Sequence, residues 1–379
     1  MKKHLQTIIG IFIGLILLWV LFRDTNWTEV GAAIKNIHWG WLALAHIPLV
    51  MSFVTRVIRW KYIVNSVTPT SIRNLASATQ IGFLANFTLP ARAGEAVRAL
   101  VLTRLTGIPF SKTFAYVALD RVTDLFGLIA VMLVAIFAFQ PDTAVVIPAA
   151  TFSTPQDITF PPELYKTGAY GIGLFLLAII GSFVMLYIKK TFFISLVEKV
   201  AGKFSKKLAD LGVTILTHFA EGLEVFKSPR DMFLAIFFSL CTWTMPILIF
   251  WATLEAFHID APWYTPFVMQ SILSVFIAVP GAPGFVGQYH VPIVITLVMI
   301  VSGINIDQAK AYAIVNHIIQ LPPILIVGVY FLITDDFSIT ALASEGKELS
   351  HEDVDDTPHE EVGDTPHEEV GDTPHDIEK

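Results

Sequence analysis

Apolar runs long enough to cross a bilayer, about 20 residues each, recur along the whole of this 379-residue chain. Unbroken runs occupy residues 7–22, 41–64, 113–139, 167–188, 231–257 and 310–334. Two more, 75–105 and 263–304, are interrupted by proline and glycine. In lipid the backbone has to satisfy its own N–H and C=O groups, so runs of this length are expected to be helices. Only 15% of the residues are charged, against about 25% in soluble domains. Twenty-nine phenylalanines and eight tryptophans suit a lipid-facing surface with interfacial aromatics. The expected fold class is therefore an all-α membrane protein with about eight membrane segments, which excludes a soluble enzyme on a single anchor.

Lys2 and Lys3 precede the first run, but no small-residue cleavage site follows it at Arg23-Asp24-Thr25-Asn26-Trp27. The first run is thus expected to be a retained helix rather than a signal peptide. Basic residues mark the cytoplasmic side. Lys2 and Lys3 place the N-terminus inside, and Arg56, Arg59, Lys61 and Arg73 are read as flanking the inner end of the second span. Eight basic residues between Lys189 and Arg230 make that stretch internal. The 140–166 loop, with Asp142, Asp157 and Glu163 against one lysine, is external. These assignments agree only if each broken run enters and leaves on the same side. The first would be a re-entrant pair opened from the cytoplasm, the second one opened from outside. The chain is expected in the cytoplasmic membrane with both termini inside.

Phe204, Leu208, Leu211, Ile215, Phe219, Leu223 and Phe226 recur at steps of three and four in the internal stretch, opposite lysines and acids. That pattern predicts an amphipathic helix on the inner surface, or one that binds a regulatory partner. From about Ser344 the chain repeats Asp-Thr-Pro-His-Glu-Glu-Val-Gly at 356–363 and 364–371, with a partial copy after it. Low hydrophobicity and high charge predict a disordered tail over 341–379, beyond a membrane domain over 1–340. The formal charge of -7 is largely that of the tail. The single Cys241 excludes an internal disulfide and a cysteine-based zinc site, and no metal or cofactor is expected.

The segment Ala115–Leu125 can be laid on residues 311–321 at a constant shift of 196, pairing Asp120 with Asn316, Arg121 with His317 and Asp124 with Gln320. Pro90 and Gly94 fall on Pro280 and Gly284 at 190, and Trp60 on Trp251 at 191. The shared order predicts two repeat halves, about 5–139 and 167–334. By the basic-residue argument their orientations are opposite. Inverted repeats with broken helices in matching positions mark secondary transporters, whose sites lie between the halves near the midplane; an old duplication kept for packing is the alternative.

Charges inside the membrane cost roughly 2.5–3.5 kcal/mol each on insertion scales, yet Arg92 and Glu95 occupy the first break and Asp120, Arg121 and Asp124 an apolar span. Asp120 and Asp124 share a helix face, as do Arg92, Glu95 and Arg98. Arg92 could pair with either aspartate, and the helix restart after Pro90 adds a positive dipole end. The sum is a polar, partly cationic pocket suited to phosphate, or an ion-pair network that locks the broken helices; both can hold. Arg98 and Arg104 could also reach the headgroups. Asn86 could cap the break or touch substrate. In the second half Gly281, Gly284 and Gly287 allow close backbone approach, while Pro280 and Pro283 free carbonyls. Gln288 and His290 follow, and Asn316, His317 and Gln320 would supply neutral contacts. Pro90, Gly94, Pro280, Gly281, Pro283, Gly284 and Gly287 are the expected gates and hinges. No GxSxG, Walker A, HExxH or dinucleotide loop is present, so an enzyme is not expected.

The segment Asn86-Phe87-Thr88-Leu89-Pro90-Ala91-Arg92-Ala93-Gly94-Glu95, then Leu119-Asp120-Arg121, then Pro280-Gly281-Ala282-Pro283-Gly284-Phe285-Val286-Gly287 resembles the flippase-like family related to the transmembrane half of lysylphosphatidylglycerol synthases. The resemblance covers roughly residues 5–335. It implies movement of lipids or lipid-linked groups between leaflets. Those synthases carry a soluble aminoacyl-transfer domain after the membrane region; here the acidic tail follows, so lysyl transfer is not carried over. Many relatives have an acidic residue where His290 stands.

The function expected is translocation of an anionic or zwitterionic lipid, with Arg92 on the phosphate and Glu95, Asp120 and Asp124 orienting Arg92 and Arg121 or receiving a cationic group. The partners expected are membrane lipids and a lipid-modifying enzyme, not nucleic acid. An accessory subunit of a lipid glycosyltransferase, a transporter of small amphiphiles and a membrane-embedded transferase remain open, as does the oligomeric state.

Overall fold

The computed structural model describes residues 2–65, 68–89, 93–201, 213, 229–279, 281–342 and 345. Pro90, Arg92 and Pro280, the amphipathic segment over 204–226 apart from Val213, and the acidic tail apart from Glu345 lie outside the described residues.

The chain is mostly helical. The helices are α1 Lys2–Phe22, α2 Trp27–Lys35, α3 Trp39–Val64, α4 Ile72–Thr88, α5 Gly94–Thr106, α6 Phe110–Ala138, α7 Pro162–Ile188 and α8 Lys190–Ala201. They continue with α9 Pro229–Ala256, α10 Thr265–Ala278, α11 His290–Ile300, α12 Ile306–Ile318 and α13 Leu321–Thr334. Among the described residues six helical stretches are long and apolar enough to cross a membrane, and a seventh arises if α1 and α2 are counted together. The six unbroken runs of the sequence all fall on these stretches. The last run is interrupted between α12 and α13, where Pro322 and Pro323 cannot donate to the preceding turn.

Apolarity ends at Phe22, and there the chain turns by 88° into α2. The Asn26 side chain accepts the Thr28 and Glu29 N–H groups and so starts the new helix. Val30 of α2 is buried, and the helix lies on α12. The 140–166 loop carries a short hairpin, Val145–Ile147 antiparallel to Ile158–Phe160, built from β-branched and aromatic residues. It is tied to the end of α1 by the Arg23 guanidinium, which donates to the Phe152 and Ser153 carbonyls.

Both interrupted runs fold as helix pairs. Helix α5 runs back along α4, close enough that a Cβ on Gly94 would overlap the Gly82 carbonyl and the Asn86 amide. The Asn86 side chain accepts the Gly94 N–H at 2.9 Å, capping the restart. At the second break Gly284 and Gly287 take φ of +67° and +83°, a region open to glycine. The Gln288 amide donates to the Phe276 and Val279 carbonyls at 3.1 and 3.0 Å, satisfying the carbonyls that the break frees.

Helix α1 carries Gly10-x-x-x-Gly14 and sets it directly on this second break. A Cβ on Gly10 would meet the Gly281 carbonyl, and one on Gly14 would meet Ala282. Small residues let backbones approach in this way inside a membrane. The most extensive helix pairing is α3 against α9, with α4 against α13 and α6 against α10 beside it. These pairings enclose the site.

Candidate functional site

Seven charged side chains from α3, α5 and α6 form one network. Asp120, on the buried face of α6, is fully enclosed. It receives Arg59 Nε at 2.9 Å and Arg98 Nη1 at 2.6 Å. Asp124, one turn on, receives Arg59 Nη1, Arg56 Nη1 at 3.3 Å, Arg121 Nη1 at 2.9 Å and the Trp243 indole N–H of α9 at 2.8 Å. Arg121 also binds Glu95 Oε2 through Nε and Nη2, at 3.2 and 3.0 Å. Four guanidinium groups against three carboxylates leave a formal charge of +1 on the network. Burying such groups is tolerable because each finds an opposite charge.

Two layers result. Arg59, Asp120 and Arg98 are sealed inside, with the Arg98 guanidinium 3.6 Å from the centroid of the buried Trp60 ring, a cation–π contact. Arg56, Asp124, Arg121 and Glu95 face a cavity of about 310 Å³.

The cavity lies between the two halves of the chain. Its other wall carries Trp243, Gln270, Tyr289, His317 and Gln320, and Asn86, Phe83 and Phe87 extend the first wall. The Tyr289 hydroxyl donates to Asn316 Oδ1, and Gln320 Nε2 donates to the Tyr289 oxygen. Asn316 Nδ2 donates to Thr253 Oγ1 at 2.8 Å. The rings of Tyr289 and His317 stack at 4.4 Å. The two breaks meet at the cavity, where the Phe87 and Phe285 rings pack edge to face at 5.9 Å.

Of the candidates read from the sequence, Asn86, Glu95, Arg121, Asp124, His317 and Gln320 line this cavity together. Asp120, Arg98, Asn316, His290 and Gln288 are buried behind it. Arg98 does not reach for headgroups, because Asp120 and Trp60 hold it inside. Gln288 is turned toward the break, with its amide bound to two backbone carbonyls. His290 packs edge-on to His317 and Phe22. The partners of Asp120 and Asp124 are Arg56, Arg59, Arg98 and Arg121; Arg92 lies outside the described residues.

Arg56 and Arg59 correct the sequence reading most. The sequence reads them only as basic residues flanking the inner end of a span, not as part of the site, but Arg59 is fully enclosed and Arg56 mostly so. The signal that could have found them is their spacing of three, which puts both on one face of α3, with two aspartates equally aligned on α6. Trp243 gave no signal, being one tryptophan in an apolar run.

A family model described as the lysylphosphatidylglycerol synthase transmembrane region matches residues 7–328. The chain is also similar to a protein of Haloferax volcanii named glycosyltransferase AglD, 24% identical over 92% of this chain and 57% of that protein. It thus spans just over half the length of that relative. The match over residues 7–328 takes in both broken helix pairs, the charged network and the cavity between them, and on that ground the chain belongs to the family of lysylphosphatidylglycerol synthase transmembrane regions.

Proposed function

We propose that this protein carries the phosphate-bearing headgroup of a lipid, or of a lipid-linked group, between the leaflets of the cytoplasmic membrane through the central cavity, without a chemical step on its cargo. The observation that carries the reading is the placing of Arg56 and Arg121 on the cavity wall where both broken helix pairs meet. A guanidinium is a strong phosphate donor. Arg56, held by one nitrogen at 3.3 Å, is the cation best able to turn to an entering anion.

Matching spacings support reading the two halves as an inverted repeat. Helices α3 and α9 begin 190 positions apart, and α4 and α10 end 190 apart. Helices α5 and α11 begin 196 apart, and the 110–138 and 306–334 stretches share both bounds at 196. The packing of α4 on α13 is echoed by that of α10 on α6. Two halves of opposite orientation with matching broken pairs suit alternating access about a fixed site. The basic loops read from the sequence put both termini inside.

The likeness to a protein named as a glycosyltransferase favours one second reading, an accessory role beside a lipid-glycosylating enzyme. Purified protein in vesicles separates the two. We expect it alone to accelerate movement of an anionic phospholipid. Arg56→Ala and Arg121→Ala should each slow that movement by roughly tenfold, the loss of one charge-assisted hydrogen bond of about 1.5 kcal/mol. Movement only after a partner enzyme is added would favour the accessory role. Equal rates for the native and both variant proteins would remove the arginines from the path.

A further inference from the structure

Resting on the translocation reading, we infer that the cavity selects a phosphodiester joined to a neutral polyhydroxyl group, such as a sugar or polyol, over one joined to an amine. The two walls of the cavity differ in chemistry. Among the described residues every charged side chain lining it, Arg56, Glu95, Arg121 and Asp124, comes from α3, α5 or α6. The wall supplied by α9 to α13 is neutral: amides from Gln270 and Gln320, and rings from Trp243, Phe285 and Tyr289 with His317.

The carboxylates are already committed. The two oxygens of Asp124 accept from Arg56, Arg59, Arg121 and Trp243, which fills the roughly four acceptor positions of a carboxylate. Glu95 gives one oxygen, Oε2, to two nitrogens of Arg121, so its charge is already matched. An ammonium group entering the cavity would have to displace a guanidinium from Asp124 or share Glu95 with Arg121, whose charge already balances it. The described network carries a formal charge of +1, and a phosphodiester carries -1, so the bound pair is neutral inside the low-dielectric interior. With the phosphate at Arg56 and Arg121, the rest of the headgroup meets the neutral wall. Amides there give donors and acceptors to hydroxyls, and the flat rings suit the C–H faces of a sugar or polyol. An acidic residue on that wall would instead have welcomed an amine.

The test uses the full chain in vesicles, with one labelled lipid in each preparation. The lipids are phosphatidylglycerol, a mannosyl-phosphoryl polyprenol, phosphatidylethanolamine and lysylphosphatidylglycerol. We expect the two polyol headgroups to cross at least tenfold faster than the two amine-bearing ones. The faster of the first two identifies the source of the polyol phosphate. In Gln270→Glu, a carboxylate on the neutral wall should shift the ratio toward the amine-bearing lipids by severalfold; a merely structural role would change all four rates alike. Amine-bearing lipids crossing as fast as the polyol ones, or a ratio unmoved in Gln270→Glu, would overturn the inference. If no lipid crosses faster than in protein-free vesicles, it is the translocation reading itself that fails.

Discussion

Asp120→Ala is expected to be the most damaging single change in the charged network. Asp120 is completely enclosed and is bound by both Arg59 and Arg98, which are themselves buried. Removing the carboxylate leaves Arg98 sealed without an ion-pair partner among the described residues and Arg59 dependent on Asp124, and breaking a buried pair in this way costs about 3–5 kcal/mol. That approaches the whole stability of many domains. The expected readout is a large fall in the thermal midpoint in detergent and poor yield of folded protein. Asp120→Asn, which keeps the shape but not the charge, should fall between the two. Glu95→Gln tests the contrast: Glu95 is partly exposed at the cavity and, among the described residues, pairs with Arg121 alone. It should leave the midpoint within about 1 kcal/mol of native, the range of exposed pairs. An Asp120→Ala protein as stable as the native one would mean that the buried layer does not hold α3, α5 and α6 together.

Gly281→Ala is expected to open the second break. A methyl group on Gly281 would occupy the place of the Gln288 side-chain amide. Gln288 would have to leave, and the Phe276 and Val279 carbonyls would lose their donor. An unsatisfied buried group costs about 1–3 kcal/mol; Phe276 is half-buried and Val279 exposed, so the two lost bonds together should cost about that much. Gln288→Ala removes the same bonds by another route. Because both changes act through one contact, the double variant should lose little more than either alone. Additive losses, measured as midpoints in detergent, would show that Gly281 and Gln288 act separately. Gly10 of α1 also abuts the Gly281 carbonyl, so a shift at the break should loosen α1 as well.

Much of the fold is legible because a bilayer demands long apolar helices, and proline with glycine marks where they break. The positions of Asn86, Gly94 and Glu95 at one break, and of Gly281 to Gln288 at the other, follow from that. The turn after Phe22 is harder, since hydropathy ends there and only Asn26 signals a new helix. The Gly10-x-x-x-Gly14 pair announces a close helix contact, but nothing local says that its partner lies some 270 residues away. Arg56 and Arg59 defeat hydropathy altogether. A basic residue near the end of an apolar run can reach for the surface or turn inward. Here the decision is made by Asp120 and Asp124, more than sixty residues later. Sequence pairing also overstates likeness. Trp60 and Trp251 match in the repeat, yet Trp60 is sealed beneath Arg98, while Trp251 is exposed beside Trp41.

The translocation proposal requires the two broken helix pairs to move against each other about the cavity. Phe87 of the first break touches Phe285 of the second, and the chain has one cysteine, Cys241. In a Cys241→Ala background, Phe87→Cys with Phe285→Cys can be joined by a short thiol crosslinker after reconstitution. The expected result is that joining stops lipid movement and that cleaving a reducible linker restores it, while the crosslinker slows neither single cysteine variant below its own untreated rate. Undiminished lipid movement by fully crosslinked protein would contradict the account.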